Sequence, residues 1–319
     1  MTTLPRPPLR PAVRAPGQGA SAAGTRPRVA LVDSGLGLVP TAAAFARLLP
    51  QADLVLSMDP THMPYGALDA ETLAARVLAT TGAVLADHTV DVVVVACNSA
   101  SVHALPVLRA ALGDGVPVVG TVPAIRPAAR AGGPFAVWAT EATTGSAYQE
   151  GLIAEHAAGT EVHRVACPGL AEAIDAADPV AIDRAVREAV ARTPARVEDI
   201  VLGCTHYGLA ADRIRTRRPG TRTVFDSPEA VARRAVHVLQ AARHPQPAGS
   251  TETVEQRDPQ AVAAGLAAGL AGTPGSGAVL ATYLSGEPGD LPKRLRAFPE
   301  GRLLLAMERP RFYPGSVSR

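Results

Sequence analysis

From Arg28 onward, short apolar runs alternate with Ala-rich segments of helix length. Each apolar run reads as a buried strand. The runs cover Val29 to Val32, Leu54 to Ser57, Val90 to Ala96, Val116 to Gly120, Phe135 to Ala139, Glu161 to Val165, Ile200 to Gly203 and Thr221 to Phe225, with a further one at Ala278 to Thr282. Between them, Leu68 to Asp87 carries Leu73, Val77 and Val84 on one helical face. Asp178-Pro179 supplies a cap followed by proline at the first helical position, ahead of an Ile182, Val186 and Val190 stripe. Ser227-Pro228 repeats that device before Val231, Ala235 and Val238. Strands alternating with helices predict an α/β fold with mainly parallel sheets.

Two of the strands end alike. VVVVACNSA (Val92 to Ala100) and DIVLGCTHY (Asp199 to Tyr207) each run into a small residue, a cysteine and small polar residues. The repeat suggests two similar α/β units, pseudo-symmetric domains with the active site in the cleft between them. The expected division is a Pro/Arg-rich disordered tail over 1–27, a first domain over 28–120 plus 226–300, a second over 121–225, and a C-terminal tail over 301–319. Linkers rich in Pro, Gly and Ser at His244 to Ser250 and Gly272 to Gly277 interrupt the last region. Ligands of open α/β sheets bind beyond the carboxyl ends of strands, where Asp33, Cys97 and Cys204 all fall.

Charge and composition narrow the function. The net charge of +2 is misleading, because the first 28 residues hold five arginines and no acid. The remainder is slightly acidic, which disfavours nucleic acid as a partner. The opening segment has no signal-peptide core, and no stretch reaches the ~18 apolar residues of a membrane span. Three cysteines, an odd and low number, suit a reducing cytoplasm and are too widely spaced for a zinc knuckle. No nicotinamide or metal signature is present, and the lone lysine, Lys293, lies too late in the chain to suggest pyridoxal chemistry. No cofactor is therefore expected.

A thiol on each side of a substrate suits racemisation, in which one group takes a proton from carbon and another returns one to the opposite face. Cys97 at a strand-to-helix junction is expected to have a lowered pKa. Cys204 has Thr205 and His206 beside it, and histidine changes charge near neutrality. Asp33 closes the first strand, and Gly35 and Gly37 behind it offer backbone N–H groups for a carboxylate. Donors for a substrate carboxylate are further expected from the backbone at Ser34, Gly66, Asn98 and Thr205 and from the hydroxyls of Ser34, Ser99, Thr140, Thr143 and Thr205. Pro64-Tyr65-Gly66 fits a loop over a small ligand. Cys167, before Pro168 and Gly169, reads as structural.

Together, VALVDSGLG, DPTHMPYG, VVVACNSAS, PVVGT, ATEATTGSAY, the CPG region and VLGCTHYGL resemble the cofactor-independent glutamate racemases of the aspartate/glutamate racemase superfamily. The resemblance covers roughly Arg28 to Gln240, with an echo in Ala281 to Phe298. It implies that Cys97 acts on the D-enantiomer with Asp33 assisting, and Cys204 on the L-enantiomer with His206 assisting. Ser34, Pro64, Tyr65, Gly66, Asn98, Ser99, Thr140, Thr143 and Thr205 stand at substrate-contacting positions. Asp175 stands where many members carry an assisting glutamate. The resemblance also implies a cytoplasmic homodimer serving cell-wall (peptidoglycan) synthesis, and DNA gyrase as a partner of some members.

Several positions depart from the family pattern. Leu38 replaces a glycine, Pro60 a threonine, Ser99 a threonine and Gly208 the proline after CTHY; Thr121-Val122-Pro123 lacks the usual acid. All proton carriers are kept. The alternatives to a glutamate racemase are a racemase for aspartate or another amino acid, and a catalytically silent binding protein.

Overall fold

A computed structural model describes residues 25–243 and 276–309. The expected tail up to residue 24, the linker at His244 to Ser250, most of the one at Gly272 to Gly277 and residues 310–319 lie outside the described residues. Two sheets organise the rest. The larger has six strands in the order β10-β9-β2-β1-β3-β4. These are β1 (Arg28–Asp33), β2 (Asp53–Met58), β3 (Val92–Val95), β4 (Val118–Gly120), β9 (Val279–Leu284) and β10 (Glu287–Gly289). Only β10 runs antiparallel to its neighbour. The smaller sheet, β6-β5-β7-β8, is wholly parallel and contains β5 (Phe135–Ala139), β6 (Val162–Ala166), β7 (Asp199–Leu202) and β8 (Thr223–Phe225).

The central strands are buried along their length except at Arg28, which opens β1, as parallel strands covered by helices on both faces must be. Helix α2 (Ala70–Asp87) turns Leu73, Val77 and Val84 into the core, and Asp69 caps it by accepting from Thr72 N at 2.8 Å. Asp178 likewise caps the helix Pro179–Arg192, accepting from Val180 N and Ala181 N. The helix Pro228–Arg243 returns to pack on α1 (Leu38–Leu48), and β9 extends the large sheet beside β2. Apolar contact is continuous from Leu31 of the large sheet to Trp138 of the small one. Among the described residues no helix is long and apolar enough to cross a membrane.

Two expected boundaries shift. Residues 25–27 already belong to the folded body, since Asp53 N donates to the Pro27 carbonyl at 2.8 Å and Arg26 pairs with Asp53. At the other end, residue 301 falls inside a helix, Pro299–Met307, whose Leu304 is fully buried. That apolar residue anchors what the sequence offered as the start of a tail.

Candidate active site

The two cysteine turns have nearly the same backbone. Cys97 leaves β3 at φ −125°, ψ 127° and Cys204 leaves β7 at φ −134°, ψ 132°. A short helix follows each: Asn98–His103 (α3) after Cys97, and a 3-10 turn, Thr205–Ala210, after Cys204. Two hydrogen bonds link these turns to the opposite sheet's strand ends. Asn98 Nδ2 donates to the Gly203 carbonyl at 2.8 Å, and Thr205 Oγ1 donates to Asp33 Oδ2 at 3.1 Å.

A cleft of about 330 Å³, its open mouth included, lies between these ends. Ser34, Pro64, Tyr65, Gly66, Cys97, Asn98, Ser99, Thr140, Thr143, Cys204, Thr205 and His206 all line it. Ala171 and Gly203, not singled out from the sequence, complete the wall. The Pro64-Tyr65-Gly66 loop is braced from behind: the Tyr65 hydroxyl donates to Asp59 Oδ2 at 3.1 Å, and Arg76 Nε donates to the same oxygen at 2.8 Å. Across from it, the Thr140 and Thr143 hydroxyls lie 3.0 Å apart. Cys167 is buried with its Sγ on the Val165 carbonyl, and burial pushes its thiol up to about 12.

Asp33 and Asp175 sit behind the two thiols. Asp33 is fully buried, and burial raises its pKa to about 6 despite donors from Ser34 and Thr205 and the charge of His206. Burial also drives the Cys97 thiol well above its ordinary value, with the Asp33 carboxylate adding to the effect. The lowering expected from the turn is thus outweighed. On the other side, His206 Nδ1 lies 4.0 Å from Cys204 Sγ, and its Nε2 lies 3.5 Å from Asp175 Oδ1. Burial opposes charge on His206, yet Asp175, Cys204 and Asp33 around it hold its pKa well above the usual imidazole value. Asp175 stays low: its burial is offset by His206, Leu36 N and Arg294.

The glycine loop after β1 packs against buried carboxylates of the protein itself. Leu36 N donates to Asp175 Oδ1 at 2.8 Å, so the anion held there is an internal carboxylate. Ser34 N is likewise taken, by Asp33 Oδ1 at 2.5 Å. A Cβ on Gly37 would lie 2.7 Å from His206 Nδ1, and one on Gly35 would lie 2.9 Å from His206 Nε2. The loop therefore needs glycine to pass this close to the buried cluster. Leu38 points its side chain fully into the core, away from the cleft. Arg294, missed in the sequence, donates from Nη2 to Asp175 Oδ2 at 2.9 Å. Its only signal was its place in the Ala281 to Phe298 echo.

The chain that forms this cavity matches a known protein family. The profile described as Asp/Glu/hydantoin racemase matches residues 40–235. The glutamate racemase of Sphingopyxis alaskensis is 38% identical over 224 residues, 67% of this chain and 82% of that protein. That of Vibrio campbellii is 36% identical over 223 residues, covering 68% and 81%. Among solved structures, Escherichia coli glutamate racemase in complex with L-glutamate and the activator UDP-MurNAc-ala superposes with a TM-score of 0.64 at 32% identity, covering 72% of this chain and 87% of that one. Francisella tularensis glutamate racemase, at 18% identity and a TM-score of 0.61, shares the fold over 89% of this chain and 95% of its own.

Proposed function

This chain belongs to the Asp/Glu/hydantoin racemase family, and we propose that it interconverts L- and D-glutamate with Cys97 and Cys204 as the two proton carriers. The observation that carries this reading is the matched pair of cysteine turns facing one cleft. We take the cleft to lie between one unit of residues 28–120 with 226–300 and another of 121–225.

The α-proton of an amino acid is weakly acidic, so its removal needs a positioned base, excluded water and donors where charge develops. Cys97 rests as a thiol, and above about pH 6 the ionised Asp33 is poised to accept its proton. The thiolate then takes the α-proton from D-glutamate. The Cys204 thiol delivers a proton to the opposite face, with charged His206 beside it and Asp175 behind His206. In the reverse direction Cys204 is the base and Cys97 the acid. After turnover Cys97 is a thiol again, Asp33 holds the proton it took and Cys204 is a thiolate. Release of the Asp33 proton to water and uptake of one by Cys204 restore the resting state, so no atom is gained or lost. The buried Asn98 Oδ1, with no hydrogen-bond partner among the described residues, is placed to accept from the substrate ammonium.

The D-glutamate would serve peptidoglycan synthesis. A homodimer follows from the family resemblance, and sedimentation of the purified protein tests it. The reaction itself is tested by incubation with L-glutamate and L-aspartate in D₂O, with chiral chromatography and mass spectrometry. The expected result is D-glutamate carrying α-deuterium and unchanged aspartate, whose shorter side chain would leave a buried donor unmatched. Deuterated D-aspartate without D-glutamate would move the assignment within the superfamily. Exchange of neither substrate would overturn it.

A further inference from the structure

Asp175, the last residue of the helix Leu170–Asp175, is gripped by residues that follow strands of the large sheet. Arg294 lies in the 3-10 segment Lys293–Ala297, beyond β9 and β10 of the large sheet. Its Nη2 donates to Asp175 Oδ2 at 2.9 Å and its Nε donates to the Asp175 carbonyl at 2.5 Å. Leu36, which follows β1 of that same sheet, donates its N–H to Oδ1 at 2.8 Å. Asp175 itself precedes β7 of the small sheet and is 7% exposed. Both donors therefore reach it from the side opposite its own sheet.

A guanidinium is a rigid planar fork, so two contacts from neighbouring nitrogens set position and plane together. Here the fork fixes the end of the helix and the plane of its carboxylate at once. Its base is firm, because Leu295 and Phe298 beside it are buried. The oriented carboxylate faces His206 Nε2 at 3.5 Å, and His206 Nδ1 faces Cys204. An ion pair whose arginine is partly open to solvent is screened and contributes little to stability, so the consequence of this one lies in orientation.

Resting on the glutamate racemase reading above, we propose that Arg294 is a positioning residue for the Cys204 half of the reaction, holding Asp175 so that His206 is aligned beside that thiol. The groups facing His206 are Asp175 from the helix before it, Cys204 from its own turn and Asp33 from β1. Arg294 acts on the first of these alone. Lysine cannot replace it fully, since one ammonium cannot make both contacts in the same geometry.

The test compares wild type, Arg294→Met and Arg294→Lys as full chains. It measures kcat/KM against pH, the primary isotope effect with α-deuterated L- and D-glutamate, and Tm. The two enantiomers are equal in free energy, so kcat/KM must fall equally in both directions; the isotope effects report which half has slowed. Arg294→Met is expected to lose roughly 10- to 100-fold in kcat/KM, the scale of a misplaced catalytic group, with partial recovery in Arg294→Lys. The isotope effect should rise for L-glutamate and fall for D-glutamate, and the alkaline limb should move to lower pH as His206 loses its aligned carboxylate. Activity within about twofold of wild type, or a loss with unchanged isotope effects and pH profile, would overturn the inference. If Arg294→Met fails to fold, Arg294→Lys carries the same readouts. A wild type that does not racemise glutamate removes the reading and the inference together, whereas an active wild type with either contrary result removes the inference alone.

Discussion

Asn98 Nδ2 donates to the Gly203 carbonyl at 2.8 Å, so the residue after one candidate cysteine is bonded to the residue before the other. The contact crosses from the turn after β3 to the turn after β7 and is buried. A two-base reaction needs its thiols at a fixed separation on opposite faces of one carbon. This bond, with Thr205 on Asp33, ties the two turns that carry them.

Asn98→Ala should therefore cost more than a surface change. Removing the donor leaves a buried carbonyl unmatched, about 1–3 kcal/mol of stability. Activity should fall further than stability explains, because the spacing of the thiols loosens. Denaturant unfolding beside kcat/KM at saturating stability separates the two. Equal kcat/KM in a destabilised protein would show that the bond only holds the fold.

Cys97→Ser and Cys204→Ser should each lose most racemisation, on the order of 10²- to 10⁴-fold for a displaced acid or base. Cys167→Ser should retain much of it, since a hydroxyl can still donate to the Val165 carbonyl that Cys167 uses. Circular dichroism confirms folding in each case. Should Cys167→Ser prove the most damaging folded variant, the assignment of the thiols is wrong.

What the sequence revealed, and what it hid, divides along a physical line. Strands such as Val92–Val95 and Asp199–Leu202 are legible because parallel burial forces unbroken apolar runs. The cysteine turns are legible because they repeat. The state of Cys97 is not legible, since burial and the Asp33 carboxylate that raise its pKa are not visible along the chain. Between Gly35 and Gly37, Leu36 N binds the Asp175 carboxylate, a partner from a distant helix that nothing in the local sequence announces. Arg294 is hidden for the same reason: nothing local marks an arginine whose carboxylate partner lies 119 residues earlier in the chain.

Asp33 links activity to pH and opposes stability. Its folded pKa is about 6, raised by burial from an ordinary 3.8. Below about pH 6 it is protonated and cannot accept from Cys97, so kcat/KM should fall with an acid limb near that value. For stability the sign is the reverse of a salt-bridged carboxylate. Between the two pKa values the folded state binds more protons than the unfolded one, so stability declines as pH rises through that window. Above it the penalty is complete, on the order of 2–3 kcal/mol. Asp33→Asn should thus stabilise the fold at pH 8, lose that gain toward pH 4, and be nearly inactive at both. Urea unfolding at the two pH values checks this; a variant that is less stable at pH 8 would contradict it.

Gly208 supplies the final expectation, because the family pattern has proline there and this chain does not. A Cβ at Gly208 would lie 2.5 Å from Asp226 Oδ2 and 3.3 Å from Pro40 Cγ. Asp226 cannot easily yield, since its other oxygen accepts from Ser227 N at 2.8 Å. Burial raises this carboxyl to about 7, so an already costly group would be crowded further. The glycine is thus matched to Asp226. Gly208→Ala should destabilise by about 1–3 kcal/mol, the usual cost of overpacking. In Asp226→Ala the same change should cost much less, a coupling of about 1 kcal/mol or more between touching residues. A double-mutant cycle in urea measures it. Additive costs would mean that Pro40, the other neighbour, sets the limit.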